Sequence, residues 1–466
     1  MSSDAQVKPA GGVDFDAEVA LLIVGAGACG LTAALAGRDA NVETVLLERD
    51  ASASGSTSLS SGMIPAAGTL AQTRAGIEDS PTLFANDIQT KAHGEAPPEL
   101  VRTVAEQAGP AIDWLAQAHG VALDVVTGFL YPGHTAARMH APPSRTGAEL
   151  HTALANAATA AGADCITNAR VKTLFTNDDR RIVGVEFARP DGSVERLGCK
   201  QLILACNGYG GNREMVKLHI PEMAEAQYFG HPGNQGEAVA WGHSLGAVAA
   251  CMSAYQGHGS VASPHQILIT WALMMEGGIQ INTHGERFSN EHDGYSEQSV
   301  RVLAQPEQIA WCVFDERLHA LGQEFDDYRG AVAQGAVKRA DSIEELALAL
   351  AVPVSALERS IGQTNAHTHC TFGRDFSMTA ALKAPFCAIR VTGALFHTQG
   401  GLMIDGNARI VDMHGQPLPN LYAGGGAACG VSGKKVSGYL SGNGLLNAVA
   451  LGRVAGQHAA SRIAKS

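Results

Sequence analysis

The hydrophobic positions of this chain fall into short unbroken runs that end in glycine. Residues 19–24, VALLIV, have strand length, and Gly25-Ala-Gly27-Ala-Cys-Gly30 follows at once before LTAALAGRDA takes up helical spacing. A second run, VETVLLE (42–48), ends in an acid, Glu48. LILACNGYGGN (202–212) and LPNLYAGGGAACG (418–430) repeat the passage from apolar run to glycines, and SGNGLLNAVALGRVAGQHAA (441–460) starts a final helix. Glycine interrupts the longest apolar stretch, VALLIVGAGACGLTAALAG, so it reads as strand, turn and helix and not as a membrane span. The pattern predicts an α/β chain with a Rossmann-like nucleotide-binding sheet.

The chemistry of the first unit follows from its spacing. Glycines after the strand allow a tight turn, close approach of backbone to a pyrophosphate and close helix packing; the helix N-terminus favours the phosphate charge, and Glu48 can accept ribose hydroxyls. NAD and FAD share this fingerprint. The small-residue turn GSTSLSSGM (55–63) suits backbone contact with a flavin ring, and with the returning glycine turns it favours FAD. The candidate cofactor-binding residues are Gly25, Gly27, Ala28, Cys29, Gly30, Glu48, Arg49, Ser56, Thr57, Ser58, Ser61, Gly62, Val171, Ala205, Asn207, Gly208, Gly425, Leu445 and Leu446.

Composition narrows the class. A chain of 466 residues suggests two or three domains. Its 54 glycines exceed the usual share of roughly 7% without a collagen-like period. A net charge of −12 with scattered basic residues marks no nucleic-acid surface. The nine cysteines form neither a CxxC pair nor a haem-attachment signature, which fits free thiols in a reducing compartment, and no metal site is expected. The polar N-terminus lacks the basic-then-apolar order of a secretion signal, so a cytoplasmic location is expected.

The order of motifs along nearly the whole chain resembles the FAD-dependent fumarate reductase and succinate dehydrogenase flavoprotein superfamily, which includes the 3-ketosteroid dehydrogenases. GGIQINTHGERFSNE (277–291) resembles its GGxxVNxxGxRFxNE segment, FHTQGGLMID (396–405) its HTMGGxxID segment, and NLYAGGG its GLYAAGE segment. The resemblance implies a Rossmann-like FAD-binding domain, residues 1–253 and 399–466, interrupted by a smaller α+β capping domain, 254–398. It implies FAD held noncovalently, because the histidine that carries the flavin in membrane succinate dehydrogenases is replaced within GSTSL.

Site residues follow the same resemblance. YQGH and ILIT place His258 and Thr270 where soluble fumarate reductases hold a substrate carboxylate, and His397 matches the histidine of HTMGG. The reductases' proton-delivering arginine, five residues beyond the asparagine of NE, is Tyr295 here. The glutamate and arginine that support it are Trp271 and Met274, and the carboxylate-clamping arginine is Tyr439. The flavin-contacting glutamate after LYAAG is Gly426. Two tyrosines in matching places are similar to the ketosteroid dehydrogenase pattern.

Arginine is a permanent cation suited to a carboxylate; a tyrosine hydroxyl donates to a ketone oxygen or, ionised, removes a proton. The expected enzyme is an FAD-dependent dehydrogenase that introduces a double bond α,β to a ketone. Tyr439 and the Gly442 N–H polarise the carbonyl, Ser441 tunes Tyr439, Tyr295 takes the α-proton, Tyr131 relays it, and hydride leaves the β-carbon for N5 of FAD. With an unperturbed pKa of about 10, Tyr295 needs a neighbour that lowers it, such as a helix N-terminus or a hydrogen-bonding partner. The expected substrate is a cyclic ketone or keto-acid, such as 4-oxocyclohexanecarboxylate or a 3-ketosteroid, with oxygen, a quinone or a dye as acceptor. The alternatives are a reductase of an activated alkene and a non-catalytic electron-transfer subunit.

Overall fold

The computed structural model describes residues 5–366 and 369–465. The predicted unit at the start forms as read: Ala17–Val24 is a strand, Ala28–Asp39 a helix and Thr44–Leu47 the next strand. Four parallel strands end level with one another. Val24 pairs with Leu47 on one side and Leu204 on the other, and Leu204 in turn pairs with Ala423 of the strand Pro417–Ala423. Their carboxyl ends therefore release Gly25, Glu48, Ala205 and Gly424 along one edge, where open α/β sheets bind nucleotides. The fully buried apolar faces of Leu21, Leu22, Ile23, Leu202 and Ile203 explain why these runs are continuous and do not alternate.

The final helix, Asn443–Ile463, packs along the glycine-turn helix. Gly452 and Gly456 make this contact close, because a Cβ at either would lie 2.5 Å and 2.3 Å from the carbonyl oxygens of Cys29 and Ala33. This seats the start of the final helix at the same edge of the sheet.

The second sheet has seven strands, most of its pairs antiparallel, with Phe386–Thr398 at its centre between Tyr255–Ala262 and Ile309–Asp315. One of its strands, Gln227–Tyr228, comes from outside the interval 254–398. The helix Tyr295–Leu303 lies on this sheet. Gly257 and Gly393 permit it: a Cβ there would fall 2.0 Å from Ser299 Oγ and 2.2 Å from the Ser299 carbonyl oxygen. The Gly257 N–H donates to Ser296 Oγ at 2.8 Å, which fixes the helix start and with it Tyr295.

Candidate active site

One cleft runs from the carboxyl edge of the parallel sheet to the face of the second sheet. It holds about 1950 Å³ of space outside the protein atoms, part of it open to solvent. It joins the glycine turns of the nucleotide end to the tyrosines at the other, so a cofactor and a second molecule bound at its two ends would share one space.

The nucleotide end is built from backbone and short side chains. Gly25 has φ +104°, and a Cβ on it would sit 2.6 Å from the Ala205 carbonyl oxygen, so only glycine lets the two strand ends meet. The Ala26 N–H donates to Glu48 Oε2 at 3.0 Å, and the Ala28 N–H to Thr57 Oγ1 at 3.0 Å. The N-terminus of the glycine-turn helix thus opens into the cleft beside a carboxylate, a setting that suits a dinucleotide pyrophosphate and ribose. Gly25, Gly27, Ala28, Cys29, Glu48, Arg49, Ser56, Thr57, Ser61, Val171, Ala205, Asn207, Gly425 and Leu445 line the cleft.

Five of the expected cofactor residues do not line it. A Cβ on Gly30 would lie 1.9 Å from the Gly25 carbonyl oxygen, one on Gly62 2.5 Å from that of Thr146, and one on Gly208 2.0 Å from Thr398 Oγ1. These three glycines serve close packing behind the cleft. Ser58 Oγ donates to the Ser54 carbonyl at 3.0 Å, and Leu446 is fully buried in the main core.

Sequence reading missed the segment Phe229–Asn234, which lines the cleft beside Arg49, Asp50 and Ser56. Asn234 Nδ2 donates to Ser56 Oγ at 2.9 Å and to the Tyr228 hydroxyl at 2.7 Å, His231 Nε2 lies 3.0 Å from Asp50 Oδ2, and Arg49 donates to the Gly233 carbonyl. Its glycines and asparagine, FGHPGNQG, are the signal that was available.

At the other end the cleft is aromatic, and it brings together Tyr131, Tyr295, Tyr439, Ser441, Gly442, His258, Thr270 and His397. The Tyr295 ring centroid is 6.1 Å from that of Tyr439 and 6.1 Å from that of Tyr131, both edge-on. His258 stacks on Tyr295, and Trp271 closes the cluster at 6.4 Å. The Tyr295 hydroxyl lies near those of Tyr439 and Ser441, and the Tyr439 hydroxyl near the Gly444 and Gly442 N–H groups, without closing a hydrogen bond to them, while the Tyr131 hydroxyl, near Thr270, donates to Met63 Sδ at 3.8 Å. Gly442 has φ +85°, and a Cβ there would lie 2.5 Å from Pro65 Cδ, so this turn also requires glycine.

The electrostatics differ from expectation in one respect. Tyr295 opens a helix, yet burial first and the Tyr439 hydroxyl second hold its pKa well above 10, and Ser441 does not offset them. Tyr439 is pushed up by burial to about 12, with the Gly444 N–H, Tyr295 and the Gly442 N–H working the other way. No depression of Tyr295 is present. Burial also pushes His258 down to about 3 and His397 to about 4, so both imidazoles are neutral near neutral pH. The donors around this end of the cleft are uncharged. Arg145 also lines the cleft, its guanidinium 5.5 Å from the Phe325 ring and bonded to Glu324 Oε2 at 3.2 Å.

Tyr295 is braced from two sides. Glu291 Oε2 receives Arg287 Nη2 at 2.6 Å and Arg374 Nη1 at 3.0 Å, all fully or almost fully buried. Burial opposes the Glu291 charge, but Arg374 and then Arg287 outweigh it and hold its pKa at about 2. From the nucleotide-binding half, Lys91 Nζ donates to the Asp293 carbonyl at 2.7 Å and to Glu297, spanning Tyr295 in sequence. Arg374 and Lys91 lie far from Tyr295 in sequence, which is why neither was anticipated.

Residues 20–445 match the family described as FAD binding domain. The chain is 29% identical over 446 residues to a probable fumarate reductase, Ifc3, of Shewanella frigidimarina (strain NCIMB 400), covering 94% of this chain and 74% of that protein. Its fold superposes on the open conformation of a flavocytochrome c3 fumarate reductase with a TM-score of 0.79 at 28% identity, covering 97% and 80% of the two chains. It also superposes on 3-ketosteroid-Δ4-(5α)-dehydrogenase from Rhodococcus jostii RHA1, with a TM-score of 0.77 at 24% identity, covering 98% and 99%. Among the described residues no helix is long and apolar enough to cross a membrane, and no group of three or more His, Cys, Asp or Glu side chains is placed to hold a metal ion. The glycine cradle fits a flavin dinucleotide, and the chain belongs to the FAD binding domain family, within the fumarate reductase and succinate dehydrogenase flavoprotein superfamily, as an FAD-dependent oxidoreductase acting on carbon–carbon single and double bonds.

Proposed function

We propose that the enzyme interconverts the single and double carbon–carbon bond next to a ketone, as a dehydrogenase of cyclic ketones or oxo-ring carboxylates. The observation that carries this reading is the pair Tyr295 and Tyr439, whose rings lie edge-on 6.1 Å apart in a buried end of the cleft. A dicarboxylate in that place would lose water and find as its nearest cation Arg145, already paired with Glu324, a cost on the order of several kcal/mol per ion by the desolvation argument. A ketone oxygen needs only donors, and Tyr439 with the Gly442 N–H offers them at the start of the final helix, where developing enolate charge is favoured.

Bound FAD supplies the two-electron acceptor. The chain's own residues handle the proton. In desaturation the C–H bond α to the ketone breaks, its proton goes to the Tyr295 oxygen, its electron pair enters the new double bond, and the β-hydrogen leaves as hydride. Tyr295 must be ionised for this while Tyr439 stays protonated on the carbonyl. The tyrosine pair lacking one proton is therefore the form that desaturates. The fully protonated pair is the form that reduces, since Tyr295 then donates to the α-carbon. Thr270 beside the Tyr131 hydroxyl gives the proton a second hydroxyl step away from Tyr295.

A second reading, reduction of a ketone-conjugated alkene, is favoured by the burial that keeps both tyrosines protonated at neutral pH. It uses the same residues in reverse. The test of the reading is anaerobic mixing of oxidised holoenzyme with saturated cyclic ketones, 4-oxocyclohexanecarboxylate and succinate, followed by flavin absorbance. Bleaching by a ketone and not by succinate is expected. Bleaching by succinate alone would overturn the assignment.

A further inference from the structure

Behind Ser441 lies a buried imidazole. His134 is 7% exposed, and its Nε2 is 3.0 Å from the Ser441 carbonyl oxygen, a contact across 307 positions of the numbering. The turn Tyr131-Pro-Gly-His134 delivers it there, closed by the His134 N–H donating to the Tyr131 carbonyl at 3.2 Å. Proline then glycine at the centre suits a turn that needs a positive φ at its third residue, and Gly133 has φ +85°. A Cβ on Gly133 would lie 2.8 Å from Leu440 Cδ1, so the turn packs against the residue between Tyr439 and Ser441. One four-residue turn thus carries Tyr131 into the cleft and His134 against Ser441.

The direction of this bond is fixed by the acceptor. A carbonyl oxygen cannot donate, so Nε2 carries the proton. His134 Nδ1 is buried and has no partner among the described residues, and burial first, then Arg138, pushes the imidazole pKa down to about 3, so the ring is neutral and holds that one proton. The peptide between Ser441 and Gly442 is planar and trans, which points the Gly442 N–H opposite to the Ser441 carbonyl. The carbonyl faces His134, which is not part of the cleft wall. Ser441 and Gly442 line the cleft, and the Gly442 N–H lies near the Tyr439 hydroxyl without closing a hydrogen bond to it. Glycine adopts either sign of φ at little cost, so Gly442, at φ +85°, leaves its amide free to turn over. The bond from His134 supplies the constraint that this backbone lacks.

We propose that His134 is a positioning residue: its Nε2–H holds the Ser441–Gly442 peptide with the Gly442 N–H turned into the cleft, where that N–H donates to the substrate carbonyl beside Tyr439. The donation to substrate rests on the ketone reading above; the holding of the peptide does not. Drawing electron density to the Ser441 oxygen also polarises the N–H on the far side of the same peptide, so the donor is strengthened as well as aimed.

The test uses oxidised, FAD-loaded enzyme and cyclohex-2-enone labelled with carbon-13 at its carbonyl, read by infrared difference spectroscopy. His134→Phe keeps a ring beside Phe84 and deletes the donor. The carbonyl stretch of the bound enone should move to higher frequency. Turnover of a cyclic ketone should slow by about 10- to 10²-fold, up to the loss of one oxyanion donor, with kcat falling more than KM rises because the bond strengthens as enolate charge develops. His134→Gln carries an amide donor of similar reach and should restore the lower stretch and part of the rate. His134→Asn, too short to reach Ser441, gives the same comparison if His134→Phe does not fold. Histidine labelled with nitrogen-15, with His134→Gln to identify the resonances, should show Nε2–H at residue 134. Nδ1–H there, or a wild-type carbonyl stretch in a folded, FAD-loaded variant without the donor, overturns the proposal. The tautomer is read without ligand, so Nε2–H at residue 134 in an enzyme that shows no carbonyl band of bound enone would overturn the ketone reading and support the peptide-holding role.

Discussion

The imidazole of His258 lies flat on the Tyr295 ring, 4.5 Å between centroids and 19° between planes. A protonated imidazole there would draw the phenol toward ionisation, whereas a neutral one only packs. His258 Nδ1 has no hydrogen-bond partner, and burial has moved the ring out of the physiological range.

The first prediction concerns pH. The two histidines at the aromatic end of the cleft, His258 and His397, have depressed pKa values, about 3 and about 4, so they are neutral above about pH 5 and become charged only below it. Profiles of kcat/KM with a neutral ketone should lack an acid limb near the ordinary histidine value of about 6.5. Desaturation should rise with pH through about pH 10, because ionised Tyr295 grows tenfold per unit, while alkene reduction should stay level until the tyrosines ionise. An acid limb centred near 6.5 would place a titrating histidine in the mechanism.

The two tyrosines should separate by role. Tyr295→Phe keeps the ring contacts, so FAD content and ligand binding should survive while flavin reduction slows by about 10²–10⁴-fold. Tyr439→Phe should slow reduction and also weaken ketone binding, because its donor touches the carbonyl before the reaction. Stopped-flow reduction and ligand titration on both variants check this. A wild-type rate in Tyr295→Phe would move the proton acceptor elsewhere, with Tyr131 next.

Glu291 should act on stability. Its folded pKa of about 2 lies below the ordinary 4.5, so its contribution is fully present above about pH 4.5 and is lost as pH falls toward 2. Glu291→Gln leaves Arg374 and Arg287 buried without their counter-charge and should cost about 3–5 kcal/mol at neutral pH. The gap in denaturant midpoint between variant and wild type should be largest at about pH 7 and narrower at about pH 3, where part of the contribution is already lost. A variant as stable as wild type at neutral pH would show the pair to be dispensable.

Restoring the family glutamate should fail. A Cβ at residue 426 would lie 2.2 Å from Asn207 Oδ1 and 2.9 Å from His397 Nε2, so this chain has filled the glutamate's place with its own side chains. Gly426→Glu is expected to lower the flavin-to-protein ratio after purification. Full FAD occupancy would show that the loop opens without cost.

The nucleotide-binding end was legible in the sequence because its function is carried by local backbone: a strand, a glycine turn and a helix adjacent in the chain. The same signal also marked Gly30, Gly62 and Gly208, where a Cβ would strike neighbouring protein atoms and glycine serves close packing. The tyrosine cluster was legible in position only through spacing from recognisable motifs. Its electrostatics were not, because burial and the approach of Tyr439 to Tyr295 join segments 144 positions apart in the numbering. Arg374 and Lys91 were invisible for the same reason.

The most direct test of the account is competition between acceptors for electrons from dye-reduced holoenzyme: kcat/KM for a cyclic enone against kcat/KM for fumarate. With Tyr295 and Tyr439 in place of cations, the enone should be preferred by at least about 10², the discrimination expected when a charged group finds no partner. Fumarate reduced as efficiently as the best enone would contradict the claim that this cleft is built for a ketone.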